Sequence, residues 1–402
     1  MLNTAFSPWP SFTDAEAEAV AAVLRSNRVN YWTGEECRAF EREFAAWSES
    51  AHAIALANGT VALDLALHGL GIGAVNGGAA TDEVIVTPRT FLASASCVVN
   101  AGAIPVFADV DSVSGNITAQ TIDSVRTPRT KAAIPVHLAG WPCDMDPIMA
   151  LAERHGFKVI EDCAQAHGAR YKGRSVGSIG HVGAWSFCQD KIMTTGGEGG
   201  MVTTNDSDLW SRMWSFKDHG KSWEAVYERA HPPGFRWVHE SFGTNWRMLE
   251  MQAAIGRFQL GMMPGWTEAR TRNADIIRDA LAPYAGPDGV VRTPVIGDNN
   301  SVHAQYKFYA YVRPDRLAAG WDRDRIVAEI VARGVPCYQG SCSEVYLEKA
   351  FDGSAWRPAE RLPVARDLGD TSLMWLVHPT LTADEMARTA AVAAEVLAAA
   401  SR

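Results

Sequence analysis

A few short stretches carry residues whose types and spacing suit the chemistry of a carbonyl or a pyridine ring. The stretch WSFCQDKIMTTGGEGG (185–200) holds one lysine, Lys191, between an apolar run (Val182, Ala184, Trp185, Phe187) and a glycine-rich tail. An amine that attacks a carbonyl must be mostly unprotonated, which needs desolvation or nearby positive charge. The apolar run favours partial burial, and the glycines let backbone approach a ligand closely. Upstream, KVIEDCAQA (158–166) reads as a buried strand ending in Glu161-Asp162. A carboxylate facing a pyridine nitrogen keeps that nitrogen protonated and makes the ring an electron sink. Strand alternation sends Glu161 to the face opposite Asp162. Gln165, three residues on, could reach a ring substituent, and His167 could face the same site. Asn58-Gly59-Thr60 lies between a strand and a helix, where backbone N–H groups and a hydroxyl suit a phosphate. Ser186 sits five residues before the lysine, and Phe91, past another strand end, could stack on a flat ring.

Taken singly, each of these has a plain structural reading. Most lysines are solvated, a strand-end aspartate caps the next turn, and a lone phenylalanine or histidine belongs to a core. The ordered set carries the argument, not any one member. A rival signal, Gly69 to Ala74, fits the dinucleotide pattern G-x-G-x-x-A but ends a helix instead of joining a strand to one. Neither a P-loop nor an H-E-x-x-H motif occurs.

The elements that must position these residues alternate. A capping box, Thr13-Asp-Ala-Glu16, opens a helix to about Leu24, and a second helix spans Glu36 to Trp47. Strands are expected at 52–57, 83–87, 104–108, 132–136, 158–161, 182–187 and 201–204, with helices following the first two and one at 147–155. Such alternation implies an α/β domain with a mostly parallel sheet flanked by helices, whose ligands sit at the carboxyl ends of the strands. Asn58–Thr60, Pro88–Phe91, Asp162–Gln165 and Ser186–Lys191 all lie just past strand ends and are expected to converge. A helix from 247 to 260 is read as interrupted by Pro264 and Gly265, with a second helix to about Tyr284. Beyond it, a strand at 306–312, a helix at 324–333 and a final helix at 383–400 form a smaller α+β unit. The expected division is a large domain over 1–260 and a smaller one over 261–402.

Composition narrows the class. The 402 residues, 47% hydrophobic and 21% charged, suit a globular protein, and the net charge of −9 argues against nucleic acid or an anionic membrane as partner. Seven cysteines without a C-x-x-C pair read as reduced thiols, with no disulfide framework and no metal site. No signal-like start or membrane-length apolar run is seen, so a cytoplasmic protein is expected.

The ordered set resembles the DegT/DnrJ/EryC1/StrS family of sugar aminotransferases, pyridoxal-phosphate enzymes of fold type I. The matching stretches are WTGEECRAFEREFA (32–45), NGTVALDLAL (58–67), DEVIVTPRTFLASASCVVNAGAIPVFADVD (82–111), VIEDCAQAHGARYKGRSVGSIGHVGAWSF (159–187), KIMTTGGEGGMV (191–202) and GTNWRMLEMQAAIGRFQL (243–260). The resemblance implies that Lys191 is the Schiff-base lysine and that Asp162 pairs with the pyridine nitrogen. It places Gln165 beside the cofactor's phenolic oxygen, Gly59, Thr60 and Ser186 on the phosphate, and Phe91 on the ring. Asn245 resembles the asparagine that reaches the neighbouring subunit's cofactor, which implies a homodimer with shared sites; Arg247 would shape that loop. Cys188 stands where many members have histidine, and an extra glycine gives TTGGEGG after the lysine. Loop 338–360 falls where members vary and is expected to line the nucleotide-sugar entrance.

The activity implied is transamination of a nucleotide-linked 3- or 4-keto sugar, with an amino acid donor, glutamate foremost. A related sugar dehydratase would carry histidine in place of Lys191. A non-catalytic cofactor-binding regulator is the other alternative, and no DNA-binding domain is appended to support it.

Overall fold

The computed structural model describes residues 5–231, 234, 236–298 and 300–401. Among them the strands of the first part are β1 (His52–Leu56), β2 (Glu83–Val86), β3 (Ile104–Phe107), β4 (Thr130–Ile134), β5 (Lys158–Asp162), β6 (Arg170–Tyr171), β7 (Arg174–Ser175), β8 (Val182–Ser186) and β9 (Gly200–Thr204). β6 and β7 form a small antiparallel pair, and the other seven make one sheet in the order β1-β9-β8-β5-β4-β2-β3. From β8 to β3 every pairing is parallel, while β9 runs antiparallel to both β8 and β1. Every position of β2, β8 and β9 is buried. A parallel sheet needs crossover helices on its faces, so its strands read as apolar runs and not as alternation.

Local chemistry sets the flanking helices. Thr13 and Glu16 cap each other's backbone at the start of the helix Asp14–Ser26, as the capping box predicts. The helix Glu36–Trp47 has the expected bounds and buries Phe40 and Phe44. Phe44 meets the Trp185 ring edge-on at 5.2 Å and Phe187 at 5.5 Å, pairs worth about 0.5–1.5 kcal/mol beyond their area. This aromatic knot holds the outer helix against the strand that leads to Lys191.

The C-terminal part is built on a second sheet: β10 (Val291–Arg292), β11 (Phe308–Val312), β12 (Cys337–Tyr338) and β13 (Ser372–Trp375), all antiparallel in the order β10-β11-β13-β12. The helices Arg323–Ala332 and Ala383–Ala400 bury Ile326, Ile330 and Leu397 in the core beside it. Four helices that the sequence pattern did not announce also appear, at Ala119–Val125, Ser207–Lys217, Trp223–Tyr227 and Pro363–Thr371. They are short, and their polar residues obscure the helical period.

One expectation is corrected. The interruption at Pro264 does not occur: Glu250–Leu281 is a single helix of 32 residues. Pro264, Gly261 and Gly265 all fall on its exposed side. There a lost backbone bond can be replaced by water, while the buried side keeps the helix going. The expected division near residue 260 thus falls inside this helix. We propose that the two units share it, since Ala253, Leu260 and Met263 lie in the core under the large sheet and Ala274, Ile277 and Leu281 in that of the smaller. No helix among the described residues is long and apolar enough to cross a membrane.

A side chain at Gly261 or Gly265 would meet nothing within 4 Å. Gly261→Ala and Gly265→Ala should therefore each stabilise the fold by about 0.5–1 kcal/mol, by helix propensity alone. Chemical denaturation reads this as a higher midpoint; a lower one would show that the helix needs its glycines.

Candidate active site

The carboxyl ends of β2, β5 and β8 open on one cavity of about 900 Å³. Its walls include Gly59, Thr60, Phe91, Asp162, Gln165, Ser186 and Lys191. Seven of the eight residues singled out for cofactor chemistry are thereby brought together, from segments more than a hundred residues apart. Asn245 is the exception: it is exposed and lies outside this cavity's walls. Its backbone bridges to Asp218, whose carboxylate binds Arg247.

Asp162 ends β5 and points into the cavity. The Ser94 hydroxyl donates to Oδ2 at 2.8 Å and the Ala164 amide to Oδ1 at 3.1 Å. Burial pushes its carboxyl above the ordinary range, and the Ser94 hydroxyl, the Ala164 amide and the charge of Lys191 pull it partly back. Glu161 takes the opposite face, as alternation requires. There it accepts from His137 Nε2 at 3.0 Å and from the amides of Gly177, Ile179 and Gly180. Burial alone would raise Glu161, but His137 and the Gly180 and Gly177 amides hold it below the usual range.

His137, Glu161 and Cys163 present metal-ligating atoms within 4.8 Å of one another. The imidazole is already committed, however. The Cys143 amide donates to Nδ1 at 3.0 Å, which leaves the proton on Nε2 for Glu161. The cluster reads as a hydrogen-bond network that anchors the strand end.

The phosphate-sized end of the cavity is the start of the helix Gly59–Gly69. Asn58 Oδ1 accepts from the Val61 amide at 3.0 Å, so the preceding amides of Gly59 and Thr60 have no partner within the helix. Only glycine fits at 59, because a Cβ there would lie 2.5 Å from Ser186 Cβ. Gln165 Oε1 accepts from the Ala139 amide at 2.8 Å, which leaves its NH₂ as the group that can donate to a ligand. Phe91 is 71% exposed, an unfavourable state for a large apolar ring unless a flat ligand covers it. A donor cradle, a buried carboxylate, an amide donor and an uncovered ring together fit pyridoxal phosphate.

Lys191 stands opposite, 4.0 Å from Asp190 Oδ1, with its carbonyl bound by Trp9 Nε1 at 2.8 Å. The added glycine after it has a structural consequence. Gly196 and Gly197 adopt φ of 85° and 120°, which side chains disfavour. The turn brings Glu198 to the cavity wall, its carbonyl held by Thr195 and Gln252 and its carboxylate 3.9 Å from Cys188 Sγ. Ser341, Cys342, Val345 and Glu348 complete the wall from within loop 338–360.

Sequence reasoning missed Ser94, Asp190 and Tyr306. Asp190 adjoins Lys191 and could have been noted; Tyr306 lies too far along the chain to carry a signal. His167 does not line the cavity. It packs behind it, 5.3 Å from the Trp185 ring and 5.5 Å from Phe187.

The fold and this site define a pyridoxal-phosphate-dependent aminotransferase of fold type I. The chain belongs to the DegT/DnrJ/EryC1/StrS aminotransferase family, which it matches over residues 10–393. The solved aminotransferase from Psychrobacter cryohalolentis is 63% identical, with a TM-score of 0.95, over 98% of this chain and 99% of that one. The dTDP-3-amino-3,4,6-trideoxy-alpha-D-glucose transaminase of Streptomyces venezuelae is 36% identical over 94% of this chain and 90% of that protein. GDP-perosamine synthase of Caulobacter vibrioides is 40% identical over 74% and 73% respectively.

Burial pushes His167, His303 and His378 down from 6.5 to about 3, with neighbouring cations adding to the effect. Unfolding therefore takes up protons at any pH below 6.5, so stability is full above that value and falls as pH drops toward 3. The loss is about 1 kcal/mol per histidine per pH unit. The melting temperature should fall steadily from pH 6.5 to 4.5, and His167→Phe should flatten part of that slope. An unchanged slope in the variant would refute the assignment of His167.

Proposed function

We propose that this chain transfers an amino group from an amino acid, glutamate foremost, to C3 or C4 of a nucleotide-linked keto sugar, giving a nucleotide-linked amino sugar. One observation carries the reading: a cavity of about 900 Å³ faces Lys191 and Asp162 across a helix N-terminus and an uncovered aromatic ring. That volume is at the upper end for small-molecule sites and leaves room for a second ligand beside a cofactor. The similarity to transaminases named for amino sugars supports the acceptor class.

When bound, pyridoxal phosphate supplies a cationic ring that takes up the electron pair left when a C–H bond next to nitrogen breaks. The chain's residues do the rest. The Gly59 and Thr60 amides and the Ser186 hydroxyl hold the phosphate at the positive end of the helix. Asp162, fixed by Ser94 and Ala164, keeps a proton on the ring nitrogen. Gln165, oriented by Ala139, donates to the ring oxygen, and Phe91 covers one face. Lys191 is the amine that would carry the cofactor; in its free form, Nζ would take the proton from the donor's α-carbon and, in the second half, deliver one to the sugar carbon.

We further propose a homodimer in which Asn245 of each chain serves the cavity of the other. Asn245 sits outside its own cavity, and Phe242 beside it is fully exposed, as an interface anchor would be before assembly.

Lys191→Ala should abolish both the cofactor's visible absorbance and turnover; normal turnover with glutamate and a keto sugar in this variant would sink the reading. The purified protein should bleach with glutamate and recover with one member of a UDP-, dTDP- and GDP-keto-sugar panel. Asn245→Ala and Lys191→Ala chains should each be inactive alone. Mixed and reassociated, they should regain about a quarter to a half of wild-type turnover, because one composite site per mixed dimer is intact. No recovery in a verified mixed dimer would exclude site sharing.

A further inference from the structure

Asp190 sits beside Lys191 in the chain and beside it in the cavity. Its Oδ1 lies 4.0 Å from Lys191 Nζ, and its other oxygen accepts the hydroxyl of Tyr306. Tyr306 is buried and comes from the C-terminal part, 116 residues away. Its ring lies 5.4 Å from Lys191 Nζ and 4.7 Å from Lys307 Nζ. One tyrosine thus binds the carboxylate with its hydroxyl and receives two ammonium groups on its ring.

The charges around Lys191 make this carboxylate the one free to answer it. Asp162 also feels the charge of Lys191, but its two oxygens are held by the Ser94 hydroxyl and the Ala164 amide. Lys307 and Arg270 add positive charge from the C-terminal side; Arg270 is buried, with Nη1 against the Gln305 and Tyr306 carbonyls. His167 and His378, buried nearby, are held neutral. Across the loop, Glu198 faces the Cys188 thiol. Glu348 also lines the cavity, but among the described carboxylates Asp190 is the one that forms an ion pair with Nζ, and 59% of its side chain is accessible. Substrate filling the cavity would remove that water and strengthen the pair.

We propose that Asp190 is a positioning residue for Lys191: pinned by the Tyr306 hydroxyl, its carboxylate holds the Nζ ammonium at the cavity wall between proton uptake and proton delivery, against the repulsion of Lys307. This rests on the reading of Lys191 as the proton carrier. Nζ gains its third proton from the donor carbon, whose electron pair stays behind, and later gives that proton up. Asp190 remains a carboxylate throughout, so no further acid or base is consumed.

The test labels the cofactor-stripped full chain with acetic anhydride at pH 7.5 and follows Lys191 acetylation by mass spectrometry. Only the unprotonated amine reacts. Asp190→Asn removes the negative charge beside the ammonium and should label several-fold faster. Lys307→Met, which removes the opposing cation, should label several-fold slower, and Asp190→Glu should return toward the wild-type rate. Tyr306→Phe should move in the direction of Asp190→Asn by a smaller factor. In the holoenzyme, the acid limb of the pH–turnover profile should shift to lower pH in Asp190→Asn. A wild-type labelling rate in an Asp190→Asn protein that melts like wild type overturns the proposal. If that variant fails to fold, opposite movements in Tyr306→Phe and Lys307→Met uphold it, and no movement in either overturns it. Absence of a borohydride-fixed cofactor on Lys191 of the wild-type holoenzyme would sink the earlier reading instead, a separate result from the labelling rates.

Discussion

Two adjacent carboxylates at the end of β5 are split onto opposite faces of the sheet, and the site depends on that split. Glu161 is locked by His137 and three backbone amides, so β5 cannot slide or rotate without stranding a buried charge. Asp162 is then forced into the cavity, where its Cα stands opposite Ala184 of β8 in the ladder. A slip of one residue would exchange the two carboxylates and leave the cavity with the wrong one in the wrong network. The anchoring network behind the sheet therefore sets the register of the chemistry in front of it.

Two regions of positive charge border the cavity. At one end the helix N-terminus at Gly59 offers unpaired amides and a positive dipole end, which suit an anion. The approach is possible because glycine at 59 leaves Ser186 Cβ space that a side chain would occupy. At the other, Lys191, Lys307 and Arg270 gather positive charge about Tyr306, whose hydroxyl is bound to Asp190.

Distant parts of the chain close the site. Trp9, near the start, caps the Lys191 carbonyl. The Val345 amide donates to Pro88 O, and Asp109 binds the amides of Val364 and Ala365, fastening the C-terminal segments to the loops after β2 and β3. These bonds put Ser341, Val345 and Glu348 into the cavity wall. The helix Glu250–Leu281 contributes residues to both the core under the large sheet and the core beside the second sheet.

The sequence by itself determined what depends on local order. The capping box at Thr13, the apolar runs of β2, β5 and β8, the turn at Asn58-Gly59-Thr60 and the opposed faces of Glu161 and Asp162 all follow from periodicity and backbone chemistry within a few residues. Convergence at strand ends was legible as well, because parallel strands with crossover helices leave their carboxyl ends together. Only the tertiary structure decided which contacts span the chain. Tyr306 on Asp190, Ser94 on Asp162, Trp9 on Lys191 and the unbroken helix through Pro264 each depend on packing between segments that the sequence sets far apart. A hydrogen bond across 116 residues leaves no trace in spacing, and a proline is tolerated or not according to which face of a helix the rest of the fold covers.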